Sequence, residues 1–351
     1  MESQMTMESQ MTTVRDKSID IIKGIAILLV ILGHMNQTPL VIVTWIYSFH
    51  MPLFFLCSGM VFSLRRHPDF RSFLISRLRT LVLPYFCLSI SLWLLMYLRD
   101  FFAGYVYHTP FTPENRPLHD FLSMLLGYRM HEYYFSLWFI CALFTAELVF
   151  YFLVKYIRKY QWLFFLFGVL GIALQWLVWK FVQGFFWSID MIPVCTAFLS
   201  LGYGYRLYKE KLRLLLNAWW ILPALAGNIV FAYLNFRVTG INDLYSCIFG
   251  NPVYFFLSSV FGSWLFLILS NHMDSSLLLF FGKNTFVTYA FQNSFAIPVA
   301  VMISEKLGTK FPDFSVPVVQ WVLVFLITVL ISAFLIWFFN RFLYRALGRS
   351  R

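Results

Sequence analysis

Apolar residues run through this chain in stretches of about twenty, separated by short polar connections that hold most of its charged side chains. At 1.5 Å per residue, a helix of that length crosses a hydrocarbon core about 30 Å thick. Such runs are read at about 19–37, 40–63, 80–98, 134–154, 161–179, 186–205, 214–236, 252–270, 285–303 and 316–340. The pattern predicts an all-α integral membrane protein, a bundle of about ten transmembrane helices. The sixth and ninth runs contain Pro193 and Pro298. Membrane helices tolerate proline where neighbouring groups satisfy the freed backbone.

Composition strengthens this picture. A length of 351 residues alone would suggest two soluble domains, but 60% of the residues are hydrophobic and only 12% charged. Soluble domains carry about 25% charged residues. The net charge of +11 raises the question of nucleic acid. Its placement answers against it, because the basic residues gather in alternate connections, as orientation signals do. One set of connections holds Arg15, Lys17 and Lys23; Arg65, Arg66, Arg71, Arg77 and Arg79; Lys155, Arg158 and Lys159; Arg206, Lys209, Lys211 and Arg213; Lys283; and the arginines from Arg341 onward. The other set is sparse. This bias places both termini in the cytoplasm and the long connection 99–133 outside. That connection, with Pro110, Pro113 and Pro117 and with His108, His119 and His131, is the expected contact for an external substrate. Residues 1–12 repeat MESQMT and are read as a disordered polar tail. The five cysteines show no metal or redox spacing and read as small buried hydrophobes.

The candidate chemistry concentrates in the first run. Asp20 and Lys23 open it, and His34 lies eleven residues beyond Lys23. At ~100° per residue this is about three turns plus ~20°, so Lys23 and His34 share a face, ~16 Å apart along the axis. Asp20 falls within ~40° of that face. Ionisable side chains are costly inside a span and are functional candidates by default. A neutral imidazole takes a proton from an alcohol and returns one to a thiolate near pH 7, which makes His34 the candidate general base. Lys23 and nearby arginines suit anionic phosphates at the cytoplasmic rim. The arrangement fits acyl-CoA, its nucleotide held in the cytoplasm and its thioester reaching inward. The plain alternative makes Lys23 and Asp20 interfacial anchors and His34 a satisfied interior histidine.

Five segments carry a resemblance: RDKSIDIIKGIAILLVILGH (15–34), FHMPLFFLCSGMVF (49–62), ISRLRTLVLPYF (75–86), LWFICALFTAEL (137–148) and FGKNTFVTYAFQN (281–293). In this order they resemble the acyltransferase-3 family of multi-pass membrane acyltransferases, and within it the sugar O-acetylase branch, fucose 4-O-acetylase-like. The resemblance implies transfer of an acetyl or other short acyl group from acyl-CoA to a hydroxyl of a cell-surface glycan or lipid-linked sugar, at the inner membrane. No tightly bound cofactor and no metal is expected. Lys23 and His34 fit the family's pattern of a basic residue, ten residues and a histidine. His34 is then the catalytic histidine, with Lys23 serving donor binding or a proton relay.

The resemblance also marks Arg77 for donor binding, with Arg79 standing in where the family places its second arginine and this chain has Thr80. His50, Glu147 and Asn284 become pocket candidates beside Asp20. Their plainer roles are helix packing for His50, an ion pair for Glu147 and a helix cap for Asn284. Trp138 reads as an interface aromatic, and Ser58-Gly59 as a site of close helix approach. Gln292 stands where the family commonly has a histidine, which weighs against a second-histidine mechanism. The division expected is a cytoplasmic tail at 1–14, an acyltransferase-3-like membrane domain at 15–345 and a basic cytoplasmic tail at 346–351. The competing class is a transporter or lipid-linked-sugar flippase without acyl transfer. It would favour inverted repeats and ionisable pairs spread over several helices.

Overall fold

The computed structural model describes residues 16–65, 67, 69–107, 117–127 and 137–349, and of 97, 99–107 and 117–120 the backbone course only. The expected tail at 1–14 lies outside the described residues. So do His108, Pro110, Pro113 and His131 of the long connection.

Among the described residues, every regular element is a helix. In chain order they are α1 (Lys17–His34), α2 (Leu40–Tyr47), α3 (His50–Val61), α4 (Phe70–Arg77), α5 (Leu83–Tyr107), α6 (Pro117–Leu126), α7 (Trp138–Ile157), α8 (Leu163–Val178), α9 (Ile192–Tyr208), α10 (Ile221–Thr239), α11 (Pro252–Asn271), α12 (Ser276–Lys283), α13 (Thr285–Phe291), α14 (Ile297–Lys310) and α15 (Pro317–Phe342). Short π or 3-10 turns join several of them. Eight helical stretches among the described residues are long and apolar enough to cross a membrane: Leu40–Val61, Phe70–Met96, Trp138–Ile157, Phe186–Tyr208, Ala218–Thr239, Pro252–Asn271, Thr285–Lys310 and Pro317–Phe342. Helix α8 is apolar but shorter, and α1 carries Lys17, Asp20 and Lys23 in its first turns. With these two, a helix stands at each position the hydrophobic pattern marks. The chain is an all-α integral membrane protein that crosses the bilayer many times.

Burial sorts the helices into centre and rim. In α3 every residue but Val61 is buried, and α1 and α9 are buried along most of their length. In α15, by contrast, mean hydropathy reaches 2.9 while only 33% of the span is buried. Its outer face shows Leu330, Phe334 and Trp337. An apolar face that open is a surface for lipid.

Glycine sets how closely the central helices approach. A Cβ on Gly24 of α1 would overlap the Leu278 carbonyl of α12, and one on Gly282 would overlap the Asp20 carbonyl. The expected approach at Gly59 is present too: α3 and α9 meet through Gly59 on the Leu199 carbonyl and Gly202 on the Leu56 carbonyl. Small residues at such crossings let backbones touch and gain dispersion energy that lipid alone does not supply.

Three departures from straight spans bear on the site. The second span breaks at Ser48 and Phe49, between α2 and α3. The break is held by its neighbours. Ser259 Oγ donates to the Ser48 carbonyl at 2.9 Å, and Asn228 Nδ2 donates to Ser48 Oγ at 3.1 Å. The third span begins earlier than the apolar run suggests. Asp69 caps α4 by accepting from Ser72 N at 2.8 Å, and a π turn at Leu78–Val82 carries α4 into α5. Arg71, Arg77 and Arg79 are therefore helical rather than part of a loop. The ninth span is α13, a π turn at Gln292–Ala296 and α14. Pro298 sits in the first turn of α14 and Pro193 in the first turn of α9, where a missing N–H costs least.

Candidate active site

Helix α1 organises the site, with a charged group of side chains towards its start and a histidine at its end. Asp16 caps the helix, accepting from Ser18 N at 3.0 Å and Ser18 Oγ at 2.6 Å. It also pairs with Lys209 at 2.8 Å. Burial pushes the Asp16 carboxyl up, but the hydrogen bonds from Lys209 and Ser18 outweigh it and hold the group below its ordinary 3.8. Beside this pair opens a cleft of about 560 Å³ lined by Lys209, Glu210, Arg213, Asn217, Asn271 and His272, among others. It does not include Lys23, Arg77 or His34.

The charged pole lies one turn further into the bundle. Asp20 is buried and Lys23 half-buried. Arg77 of α4 pairs with Glu147 of α7 at 2.8 Å, the two side chains 21% and 5% exposed. The Arg77 guanidinium also lies over the Phe73 ring, 5.0 Å from its centroid. Lys23 is near enough to act electrostatically on Glu147 and on the buried Cys57, and Asp20 acts on Cys57 as well. The structure thus gathers Lys23, Arg77 and Glu147, from three helices, into one partly buried charged group, with buried Asp20 about one turn before Lys23 on α1. Arg79 is exposed. Thr80, where a second arginine was expected, bonds its own helix, Oγ1 donating to the Ser76 carbonyl at 2.9 Å.

His34 is the last residue of α1. Thr38 ties off the turn by donating to the Leu32 carbonyl at 2.6 Å, and Pro39 starts the return in α2. His34 Nδ1 lies 2.8 Å from the Val30 carbonyl. A carbonyl only accepts, so Nδ1 carries the proton and Nε2 presents its lone pair. The ring sits 5.8 Å from Tyr47, which lies 4.8 Å from His50. His50 Nδ1 likewise donates to the Ile46 carbonyl at 2.9 Å. The break after α2 is what points Tyr47 and His50 at this place. Eleven residues of helix separate Lys23 from His34, ~16 Å along the axis.

Two further residues belong to this second pole and escape the sequence. Tyr289 of α13 is buried, lies against the Phe139 ring at 5.7 Å and acts electrostatically with Tyr47. Asp243, in the connection between α10 and α11, acts on His34, Tyr47 and Tyr289 alike. Tyr289 lies inside a segment already quoted for its resemblance. Asp243 has no periodic signal, being a single acid in a short loop.

The remaining candidates sit elsewhere. Asn284 precedes α13 but makes no capping bond with its side chain. It accepts from Asn340 Nδ2 at 2.9 Å and from Arg349 Nη1 at 3.0 Å, while Arg349 Nη2 donates to the Lys283 carbonyl at 2.7 Å. Asn284 is part of a clamp that holds the segment after α15 to α12. Trp138, expected at an interface belt, is 7% exposed and packs inside the bundle against Phe139. Gln292 is fully buried in its π turn, and neither side-chain polar atom has a hydrogen-bond partner among the described residues. All five cysteines are free, and the described residues contain no group of three His, Cys, Asp or Glu placed for a metal.

A model of the acyltransferase-3 family, described as an acyltransferase domain, matches residues 16–337. No curated protein and no solved structure matches. The matched region runs from the cap of α1 into α15 and takes in both poles. The chain therefore belongs to the acyltransferase-3 family and is a multi-pass membrane acyltransferase.

Proposed function

We propose that the protein moves an acetyl or other short acyl group from cytoplasmic acyl-CoA to a hydroxyl of a cell-surface glycan or lipid-linked sugar. The activity is that of a sugar O-acetylase, fucose 4-O-acetylase-like, working in the inner membrane with both termini in the cytoplasm. One observation carries this reading: half-buried Lys23 and His34, with its available Nε2, occupy one face of α1 ~16 Å apart, and the Arg77–Glu147 pair of α4 and α7 lies near the Lys23 end.

The donor's phosphates meet the end of the bundle that holds Lys23, Arg77 and Arg79. Its pantetheine arm is long and thin enough to carry the thioester along α1 towards His34. There Nε2 takes the proton from the acceptor hydroxyl as its oxygen forms a bond to the acyl carbon. The C–S bond breaks, and the imidazolium returns the proton to the thiolate, leaving CoA-SH and the ester. Donation from Nδ1 to Val30 fixes the ring in the tautomer this step needs. The acceptor approaches from the opposite face, where the long connection 99–133 is placed by the charge bias.

Mass spectrometry of surface glycans tests the proposal. Cells making the protein should carry acylated sugars that are absent without the gene and absent with His34→Ala at equal abundance in the membrane. Normal acylation with His34→Ala removes His34 as the base.

A further inference from the structure

The cleft beside the Asp16–Lys209 pair includes none of the residues given to acyl transfer, and its lining has a different chemistry. It measures about 560 Å³ and sits where two spans end. One wall is the connection that follows α9, from Lys209 to Asn217, and the other is the end of α11 at Asn271 with His272. The walls are tied together. Trp264 Nε1 of α11 donates to the Leu215 carbonyl at 2.7 Å, and the Trp264 ring packs on Trp220 at 5.4 Å. Asp16 holds Lys209 from the α1 side at 2.8 Å.

Both signs of charge line this cleft. Glu210 and Arg213 stand three residues apart, joined through the backbone by Arg213 N donating to the Glu210 carbonyl at 3.4 Å. Among the described residues their side chains form no ion pair, with each other or elsewhere. The two amides divide in the same way. Asn217 Oδ1 accepts from Trp219 N at 3.4 Å, which leaves its Nδ2 to donate. Asn271 Nδ2 donates to the Leu267 carbonyl at 3.1 Å, which leaves its Oδ1 to accept. Arg213, Asn217 and the remaining N–H groups of Lys209 are thus donors, and Glu210 and Asn271 are acceptors. Glu210 would repel a simple anion, while a headgroup carrying both charges matches both sets.

The rim of the cleft is apolar. Leu214 lines it and is 82% exposed, and the exposed Trp219 and Leu222 carry this surface onto the start of α10. Tryptophan at the end of a span marks the level where headgroups give way to acyl chains, and basic pockets between spans at that level take lipid phosphates. We propose that the cleft binds a phospholipid whose headgroup joins a phosphate to a primary ammonium, as in phosphatidylethanolamine. The phosphate meets Arg213 and Lys209. The ammonium donates to Glu210 and Asn271, and the acyl chains run along Leu214, Trp219 and Leu222. A choline headgroup carries the same phosphate and the same charge but has no N–H to donate.

Native mass spectrometry of the full-length protein in detergent, with added phosphatidylethanolamine or phosphatidylcholine of the same acyl chains, tests the proposal. Wild type should retain phosphatidylethanolamine about three- to tenfold more than phosphatidylcholine. Glu210→Gln should bring the two lipids level, because the contact it weakens is made to the ammonium. Arg213→Gln should lower the retention of both by about three- to tenfold, because both lipids carry the phosphate. Both changes fall on exposed side chains, which leaves the fold intact. Lys159→Gln, which removes an exposed cation outside the cleft, should behave as wild type. Equal retention of the two lipids by wild type, a preference kept in Glu210→Gln, or retention unchanged in Arg213→Gln overturns the proposal. A loss in Lys159→Gln as large as in Arg213→Gln also overturns it, since general surface charge would then account for binding. Release of the bound lipid by CoA overturns it too, and would make the cleft a nucleotide site.

Discussion

Replacing Glu147 by alanine should unfold this protein more readily than almost any other single truncation inside the bundle. Arg77 and Glu147 lie 2.8 Å apart with side chains 21% and 5% exposed. At an effective dielectric near 20, their attraction is about 6 kcal/mol, set against the cost of taking both ions out of water. Glu147→Ala removes the attraction and leaves that cost on Arg77, with Lys23 close by as a second cation. Breaking one side of such a pair costs about 3–5 kcal/mol. For a chain of this length that is a fall in Tm of roughly 4–7 °C. Arg77→Met with Glu147→Leu replaces both ions by side chains of similar size and should melt close to wild type. Thermal melting in detergent, followed by tryptophan fluorescence and by size-exclusion recovery, reads both. A Glu147→Ala protein melting within about 1 °C of wild type refutes the pair as a structural element. A double variant as weak as the single one refutes the reason given for it.

Lys23→Ala should raise the KM for acyl-CoA before it lowers the saturating rate, and Lys23→Arg should retain more activity; an unchanged KM makes Lys23 an anchor only. Gly24→Val should lower the yield of folded protein sharply, since its side chain would meet the Leu278 backbone; size-exclusion recovery equal to wild type contradicts that packing. The Asp16–Lys209 pair should contribute to stability at pH values above the ordinary carboxylate value of 3.8 and lose that contribution as the pH falls through the lowered value of Asp16. Wild type and Asp16→Asn should then have melting temperatures that differ at neutral pH and converge in acid. A difference constant with pH contradicts it.

The positions of the spans were legible because a bilayer imposes a length on every apolar run. The shared face of Lys23 and His34 was legible because α1 is a regular helix between its Asp16 cap and the turn at Thr38. What the sequence hid depends on departures from regularity or on tertiary approach. The break at Ser48 is concealed in a continuous apolar run, since its backbone is satisfied by Ser258, Ser259 and Asn228 from distant helices. The early start of the third span was hidden because Arg71, Arg77 and Arg79 depress the hydropathy of a segment that is nonetheless helical. Glu147 and Arg77 were each visible as candidates, but their pairing needs α4 and α7 side by side. Asp243 lies in a connection where no period applies. Asn284 looked like a helix cap, but its partners Asn340 and Arg349 come from the far end of the chain.

Transfer of acetyl label across oriented vesicles tests the central claim most directly. Vesicles with the cytoplasmic face outward, bearing wild-type protein or His34→Ala, would receive [14C]acetyl-CoA on that face, and acetylated product in the membrane glycan and lipid fraction would be counted. The account predicts ester-linked label, released by mild alkali, with the wild type and none above background with His34→Ala at equal protein. Equal labelling by the two proteins would contradict it.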